Sequence, residues 1–157
     1  MIFKNCKIYS KGLLKKGVIL IEKGTIQKVI FNPSESEYTE LLAENNDEKV
    51  IDCQRKIILP GIIDVHSHIR DLNQAYKETF LTGTKAAGFS GITTVFNMPN
   101  TDPPANTCKN VKKWIKKAKE NIYVNVGFIS GVPEDLDENE IKKIIKLGII
   151  GFKIYPH

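Results

Sequence analysis

Apolar and polar positions follow one pattern in the first third of the chain and another in the rest. Up to about residue 58, short alternating runs are separated by turns, which is typical of β-strands. These runs lie at residues 2–9, 17–30 and 49–58, and Lys23-Gly24 marks a hairpin within the second. The polar segment 32–48 predicts a loop with one helical turn. We therefore predict a small, all-β, sandwich-like domain over residues 1–58.

From residue 59 onward, apolar runs alternate with segments of helical periodicity. Strands are predicted at residues 61–66, 91–97, 122–129 and 148–155, and helices at about 74–88, 105–120 and 137–147. The strands are nearly continuous apolar runs, as in a parallel sheet that is covered on both faces. A closed (β/α)8 barrel needs eight strands and about 250 residues. The pattern therefore predicts an α/β region, over residues 59–157, that is either an open sheet or half of a barrel.

Composition adds the expectation of a soluble cytoplasmic protein. The chain has 157 residues, of which 41% are hydrophobic and 26% charged, and no apolar run is long enough to span a bilayer. Its beginning lacks the pattern of a signal peptide. Cys6, Cys53 and Cys108 form no Cys-x-x-Cys site, which is typical of proteins from a reducing compartment.

The net charge of +5 raises the question of nucleic-acid binding. Lysines are concentrated only in residues 109–120, where Val111, Trp114, Ile115 and Ala118 recur at helical spacing. This spacing indicates a helix whose lysines face solvent, and it makes nucleic-acid binding the less favoured interpretation.

The segment "DVHSHIR" is the first candidate for chemistry. In a strand, Asp64, His66, His68 and Arg70 share one face, because side chains alternate. Residues two apart lie about 6.6 Å apart along a strand, so two imidazoles can converge on one ion at a Zn–N distance of roughly 2.0–2.1 Å. The alternative is that both histidines are ordinary polar residues at a strand end.

Three neighbouring features favour a site over that alternative. Arg70 is one of two arginines beside 21 lysines, which suggests a planar donor for a carboxylate rather than a surface ion pair. The proline-rich segment 97–104 can hold an amide rigidly, although it can also be a plain turn. Lys153 interrupts an apolar strand, where a neutral amine can react with carbon dioxide to form a carbamate, unless its ammonium reaches solvent.

Three stretches together carry a family resemblance: "LPGIIDVHSHIR", "YKETFLTGTKAAGFSGITTVFNMPNTDPP" and "GFKIYPH". The sequence resembles the N-terminal half of a dihydroorotase, in the cyclic-amidohydrolase group of the amidohydrolase superfamily. The resemblance implies the first half of a (β/α)8 barrel after the small β domain. It implies reversible hydrolysis of L-dihydroorotate to N-carbamoyl-L-aspartate in pyrimidine biosynthesis.

Site residues follow from the same resemblance. It implies that His66 and His68 bind zinc and that Lys153, as its carbamate, bridges two zinc ions. Arg70 and Asn100 would bind the carboxylate of the substrate. Asn97 corresponds to a variable position, and His157 corresponds to no ligand.

The resemblance also implies what this sequence lacks. Family members supply two further histidine ligands from the fifth and sixth strands and a catalytic aspartate from the eighth. We therefore expect a truncated and inactive half. Allantoinase, hydantoinase and dihydropyrimidinase remain alternatives, as does a non-catalytic subunit that scaffolds aspartate transcarbamoylase. A homo-oligomer is a further expectation, and a membrane or nucleic-acid partner is not expected.

Overall fold

The computed structural model describes residues 1–155, in two units that divide between Pro60 and Gly61. The first unit contains β1 (Ile2–Ser10), β2 (Leu13–Glu22), β3 (Thr25–Phe31), α1 (Glu35–Glu44), β4 (Val50–Asp52) and β5 (Ile57–Ile58). Its strands form one sheet in the order β3-β2-β1-β4, and β5 also pairs with β1. The pairs β1–β2 and β2–β3 are antiparallel, whereas β4 and β5 run parallel to β1. The sheet is therefore mixed.

Both faces of this sheet carry apolar side chains, and a bulge in β1 determines the face on which its later residues lie. One cluster consists of Ile2, Val18, Leu20 and Leu41, and the other of Cys6, Ile8 and Ile19. The pairing register shifts between Phe3 and Cys6, and Asn5 has a φ of 55°. One inserted residue moves all later side chains to the opposite face. Consequently Ile2 and Cys6 belong to different clusters although they are an even number of residues apart.

Helix α1 corrects the prediction for residues 32–48. A loop with one helical turn is wrong, since Glu35–Glu44 form a ten-residue helix. Ser34 caps it: Glu37 N donates to Ser34 Oγ at 3.2 Å, and Ser34 N donates to Glu37 Oε2 at 2.8 Å. Leu41 is buried within an apolar cluster. Within the described residues the unit is thus one sheet with a helix, not an all-β sandwich.

The second unit alternates strands and helices, as predicted. It contains β6 (Ile62–Ser67), a 3-10 turn (Leu72–Gln74), α2 (Phe80–Phe89), β7 (Ile92–Asn97), α3 (Cys108–Ala118), β8 (Asn125–Gly131), α4 (Glu138–Ile145) and β9 (Gly151–Lys153). The four strands form a sheet in the order β6-β7-β8-β9, and every pair is parallel. Their carboxyl ends therefore lie along the same edge.

The core of this unit is built around aromatic side chains from α2, α3 and β8. Phe80, Trp114 and Phe128 have ring centroids 4.7–6.5 Å apart, and Trp114 is fully buried. Helix α3 buries Val111, Trp114 and Ala118 and exposes most of its lysines, which confirms the predicted solvent face. None of the helices in residues 1–155 combines the length and the apolar character that crossing a membrane requires.

Helix α2 begins later than the predicted residue 74. Residues 72–74 form a 3-10 turn instead, and the helix starts at Phe80, after its cap Thr79. Asp71 is buried, and its carboxylate accepts hydrogen bonds from Leu72 N and Phe80 N, both at 2.7 Å. This carboxylate therefore joins the 3-10 turn to the start of α2.

Candidate functional site

The two histidines of "DVHSHIR" lie together at the carboxyl end of β6. His66 belongs to the strand, which ends at Ser67, so His68 and Arg70 follow it. The imidazole centroids of His66 and His68 are 5.2 Å apart, with the ring planes inclined by 52°. Asp64 bonds locally, since its Oδ1 accepts from His66 N at 3.0 Å. Because the strand ends at Ser67, alternation alone does not position His68 and Arg70.

Asn97 fixes the segment that contains them. Its Oδ1 accepts from Ile69 N at 2.7 Å, and its Nδ2 donates to Ile69 O at 2.8 Å. Asn97 is the last residue of β7 and is 0% exposed. Beyond Ser67, where β6 ends, the side-chain amide of Asn97 thus pairs with the backbone of Ile69 as a neighbouring strand would. Since Ile69 lies between His68 and Arg70, this pair of hydrogen bonds positions both.

Lys153 reaches His66 across the sheet. Its Nζ lies 3.2 Å from His66 Nε2 and 3.8 Å from Met98 Sδ. Yet β6 and β9 are the two outer strands of the four, which in a flat sheet are about 14 Å apart. Side chains can meet across that distance only if the sheet curls towards the face that carries them. The contact therefore shows that His66 and Lys153 lie on the concave face of a curled parallel sheet.

Arg70 and Asn100, which the resemblance assigns to the substrate carboxylate, are in contact. Arg70 Nη1 donates to the backbone oxygen of Asn100 at 2.6 Å. The side-chain oxygen of Asn100 accepts from the hydroxyl of Tyr155 at 2.9 Å. Asn100 follows β7 and Tyr155 follows β9, so these contacts join the carboxyl ends of three strands. The guanidinium of Arg70 therefore contacts the backbone of Asn100, and Tyr155 contacts its side-chain amide.

The site is electropositive. Burial lowers the pKa of His68, and the positive charges of Arg70, His66 and Lys153 lower it further. None of the ion pairs within residues 1–155 involves Arg70 or Lys153. The histidine is consequently favoured as neutral imidazole, which is the form that binds a metal. The remaining positive groups suit an anion.

The donors present fit part of a metal site. Two imidazoles and the amine of Lys153 converge, with His66 Nε2 within 3.2 Å of Lys153 Nζ. In residues 1–155 there is no group of three or more histidine, cysteine, aspartate or glutamate side chains suited to a metal ion. A complete zinc site requires at least three protein ligands. His66 and His68 can supply two nitrogens, and Lys153 can supply oxygen only after conversion to a carbamate.

A cleft adjoins these residues. It has a volume of 510 Å³ and is lined at the carboxyl ends of three strands by residues that include Pro99, Gly131, Lys153 and Tyr155. This size is within the range of small-molecule sites, and ligands of parallel α/β sheets bind at this edge. The cleft can therefore hold a small molecule beside Lys153 and Tyr155, and its lining does not include His66, His68, Arg70 or Asn100.

Two residues of this arrangement were missed in the sequence. The sequence predicts no role for Asn97 or Tyr155, because the bonds from Asn97 to Ile69 and from Tyr155 to Asn100 join residues that are distant in sequence. The polar Asn97 at the end of an apolar strand was a usable signal. His157, expected to be incidental, lies outside the described residues.

The fold and the candidate site together define an α/β protein with two histidines, a lysine and an arginine at the carboxyl ends of its parallel strands. The chain belongs to the amidohydrolase family, which residues 57–156 match. It is similar to a dihydroorotase from Methanosphaera stadtmanae, with 35% identity over 90% of this chain and 30% of that protein. It is also similar to a dihydroorotase from Pyrococcus horikoshii, with 52% identity over 53% of this chain and 20% of that protein.

A solved structure shares the fold. L-hydantoinase (dihydropyrimidinase) from Arthrobacter aurescens superimposes with a TM-score of 0.78 and 29% identity, over 96% of this chain and 32% of that one. The chain thus spans about a third, or less, of the length of the proteins that it matches.

Proposed function

We propose that this chain is the N-terminal part of a zinc-dependent dihydroorotase, which interconverts L-dihydroorotate and N-carbamoyl-L-aspartate. The observation that carries the proposal is the contact between Arg70 and Asn100 at the edge where His66 and Lys153 meet. This contact supports the proposal that Arg70 and Asn100 bind a carboxylate close to His66 and Lys153, which would bind the metal. Similarity to dihydroorotases from two organisms supports the same assignment.

The reaction breaks a cyclic amide: water adds to a ring carbonyl, the C–N bond breaks, and the ring nitrogen takes up a proton. Bound zinc would activate the water and polarise the carbonyl. Arg70 and Asn100 would bind the substrate carboxylate through charge-assisted hydrogen bonds and so orient the ring. His66 and His68 would hold the metal as neutral imidazoles. Lys153 would lose a proton as its amine binds carbon dioxide and would then offer two carbamate oxygens.

A hydantoinase is the second candidate, because L-hydantoinase shares the fold at a TM-score of 0.78. Hydantoin is also a cyclic amide, but its unsubstituted ring bears no carboxylate. Arg70 and Asn100 therefore favour dihydroorotate. We further propose that the protein acts in the cytoplasm in pyrimidine biosynthesis. A homo-oligomer and an association with aspartate transcarbamoylase are additional proposals.

The test is ring closure by the full-length protein expressed from its own gene with zinc. N-carbamoyl-L-aspartate should be converted to dihydroorotate, and hydantoin should be a poor substrate. Arg70→Ala should raise KM about 100-fold, since two charge-assisted hydrogen bonds at about 1.5 kcal/mol each are lost. Arg55→Ala is the matched control, because Arg55 is the only other arginine and lies in the first unit. Equal KM values in the two variants would refute the role of Arg70.

Zinc content gives an independent measure. His66→Ala and Lys153→Ala should each lower the zinc bound per protein, as determined by mass spectrometry of the metal. Unchanged zinc in both variants would rule out this metal site.

A further inference from the structure

Asn100 is held from two directions by residues that are distant in sequence. Its backbone oxygen accepts from Arg70 Nη1 at 2.6 Å, and its Oδ1 accepts from Tyr155 Oη at 2.9 Å. Tyr155 lies 55 residues further along the chain, directly after β9. The first bond fixes the backbone of Asn100, and the second restricts rotation of its side-chain amide.

In this structure the hydrogen bond from Tyr155 occupies the oxygen of the amide and leaves the NH2 end available. An asparagine side chain has an oxygen that accepts and an NH2 group that only donates. Here the oxygen is engaged by Tyr155, whereas Nδ2 has no hydrogen-bond partner in residues 1–155. If the amide rotated by half a turn, it would present the oxygen instead, and that oxygen would repel a carboxylate.

We propose that Tyr155 is a positioning residue that orients the Asn100 amide, so that its NH2 group donates to the carboxylate of the substrate. This inference rests on the proposed function. It adds a positioning role to that function: while the hydroxyl of Tyr155 donates to Oδ1, the NH2 end of Asn100 is the end left free for an anionic group of the substrate. Tyr155 acts through Asn100 and does not itself bind the carboxylate.

The surroundings of Tyr155 agree with this role. Its side chain is 46% exposed and borders the cleft, so the ring contributes little to the core. Lys153 Nζ lies 5.5 Å from the centroid of the ring. The residue therefore lies between the candidate metal donors and the candidate carboxylate donors, where loss of the hydroxyl alone changes little else.

Tyr155→Phe in the full-length protein is the test, because it removes only the hydroxyl. We expect KM for N-carbamoyl-L-aspartate to rise about fivefold, because one hydrogen bond is lost. The change in kcat should be smaller than the change in KM. Tyr123→Phe is the matched control. Tyr123 is also exposed but precedes β8, at the opposite edge of the sheet. A KM for Tyr155→Phe equal to that of the control would overturn the proposal.

A double-mutant cycle separates positioning from a general structural effect. In the Asn100→Ala background, Tyr155→Phe should change KM by less than about 1.5-fold, because the amide that it orients is absent. A fivefold rise that persists in that background would show that Tyr155 acts otherwise and would overturn the proposal.

A spectroscopic measurement keeps this inference distinct from the proposed function. The side-chain NH2 signals of Asn100, assigned by their loss in Asn100→Asp, should shift in Tyr155→Phe and not in Tyr123→Phe. If the protein turns over no substrate, the proposed function fails, and these signals still decide whether Tyr155 orients the amide. Unshifted signals would contradict the inference even in an active enzyme.

Discussion

Replacing Asn97 by alanine should destabilise the second unit strongly. The substitution leaves Ile69 N and Ile69 O without the partners that bind them at 2.7 and 2.8 Å. Each buried polar group without a partner costs about 1–3 kcal/mol, so the two together cost about 2–6 kcal/mol. With typical stabilities of about 5–15 kcal/mol, this loss takes a large share of the total.

Urea unfolding followed by tryptophan fluorescence measures this loss. Trp114 is the only tryptophan of the chain and is fully buried in the second unit, so its emission reports on that unit. A loss of about 3 kcal/mol lowers the urea midpoint by about 2 M if m is about 1.5 kcal/mol/M. Asn125→Ala is the control, since this exposed strand residue should change stability by less than about 0.5 kcal/mol.

Asn97→Asp tests the same two hydrogen bonds through the pH dependence of stability. The new carboxylate can still accept from Ile69 N, but only its protonated form can donate to Ile69 O. Burial and this hydrogen bond raise its folded-state pKa above the unfolded value of about 3.9. The associated stability is present below the unfolded pKa and is lost as pH rises through the raised folded pKa. If Asn97→Ala matches Asn125→Ala, or Asn97→Asp gains nothing in acid, the two hydrogen bonds do not hold this segment.

Two further predictions concern titrating groups. The pKa of His68 is lowered mainly by burial, so the metal-free folded protein should lose stability as pH falls from about 6.5 through the lowered pKa. His68→Gln should reduce that loss in urea unfolding at pH 5 and 7, and an identical loss in the variant would refute this origin. Burial, together with a hydrogen bond to Cys53, raises the pKa of Cys6 to about 12. Iodoacetamide at pH 8 should therefore leave Cys6 unmodified until urea is added, as judged by peptide mass spectrometry, whereas equal labelling in both states would contradict its burial.

Much of the second unit could be predicted because its signals are local. Continuous apolar runs predict buried parallel strands, and helical spacing of Val111, Trp114 and Ala118 predicts the buried face of α3. These patterns involve residues that are only a few positions apart in the sequence. Two helix boundaries were misjudged for different reasons: α1 begins at the Ser34–Glu37 capping box, a local signal within a polar segment, whereas the start of α2 is held by Asp71, nine residues before Phe80.

The same distinction between local and long-range signals applies to the candidate site. By itself, the sequence determined which side chains are candidates for chemistry: the histidine pair, the rare Arg70, the Asn100 loop and a lysine in an apolar strand. Only the tertiary structure decided how they meet, since curling of the sheet brings Lys153 to His66 across 87 residues. It also decided that Asn97 fixes Ile69 and that Tyr155 orients Asn100. Such contacts join the ends of separate strands, and the energy that fixes them comes from long-range hydrogen bonds and sheet curvature, which no local pattern of residues encodes.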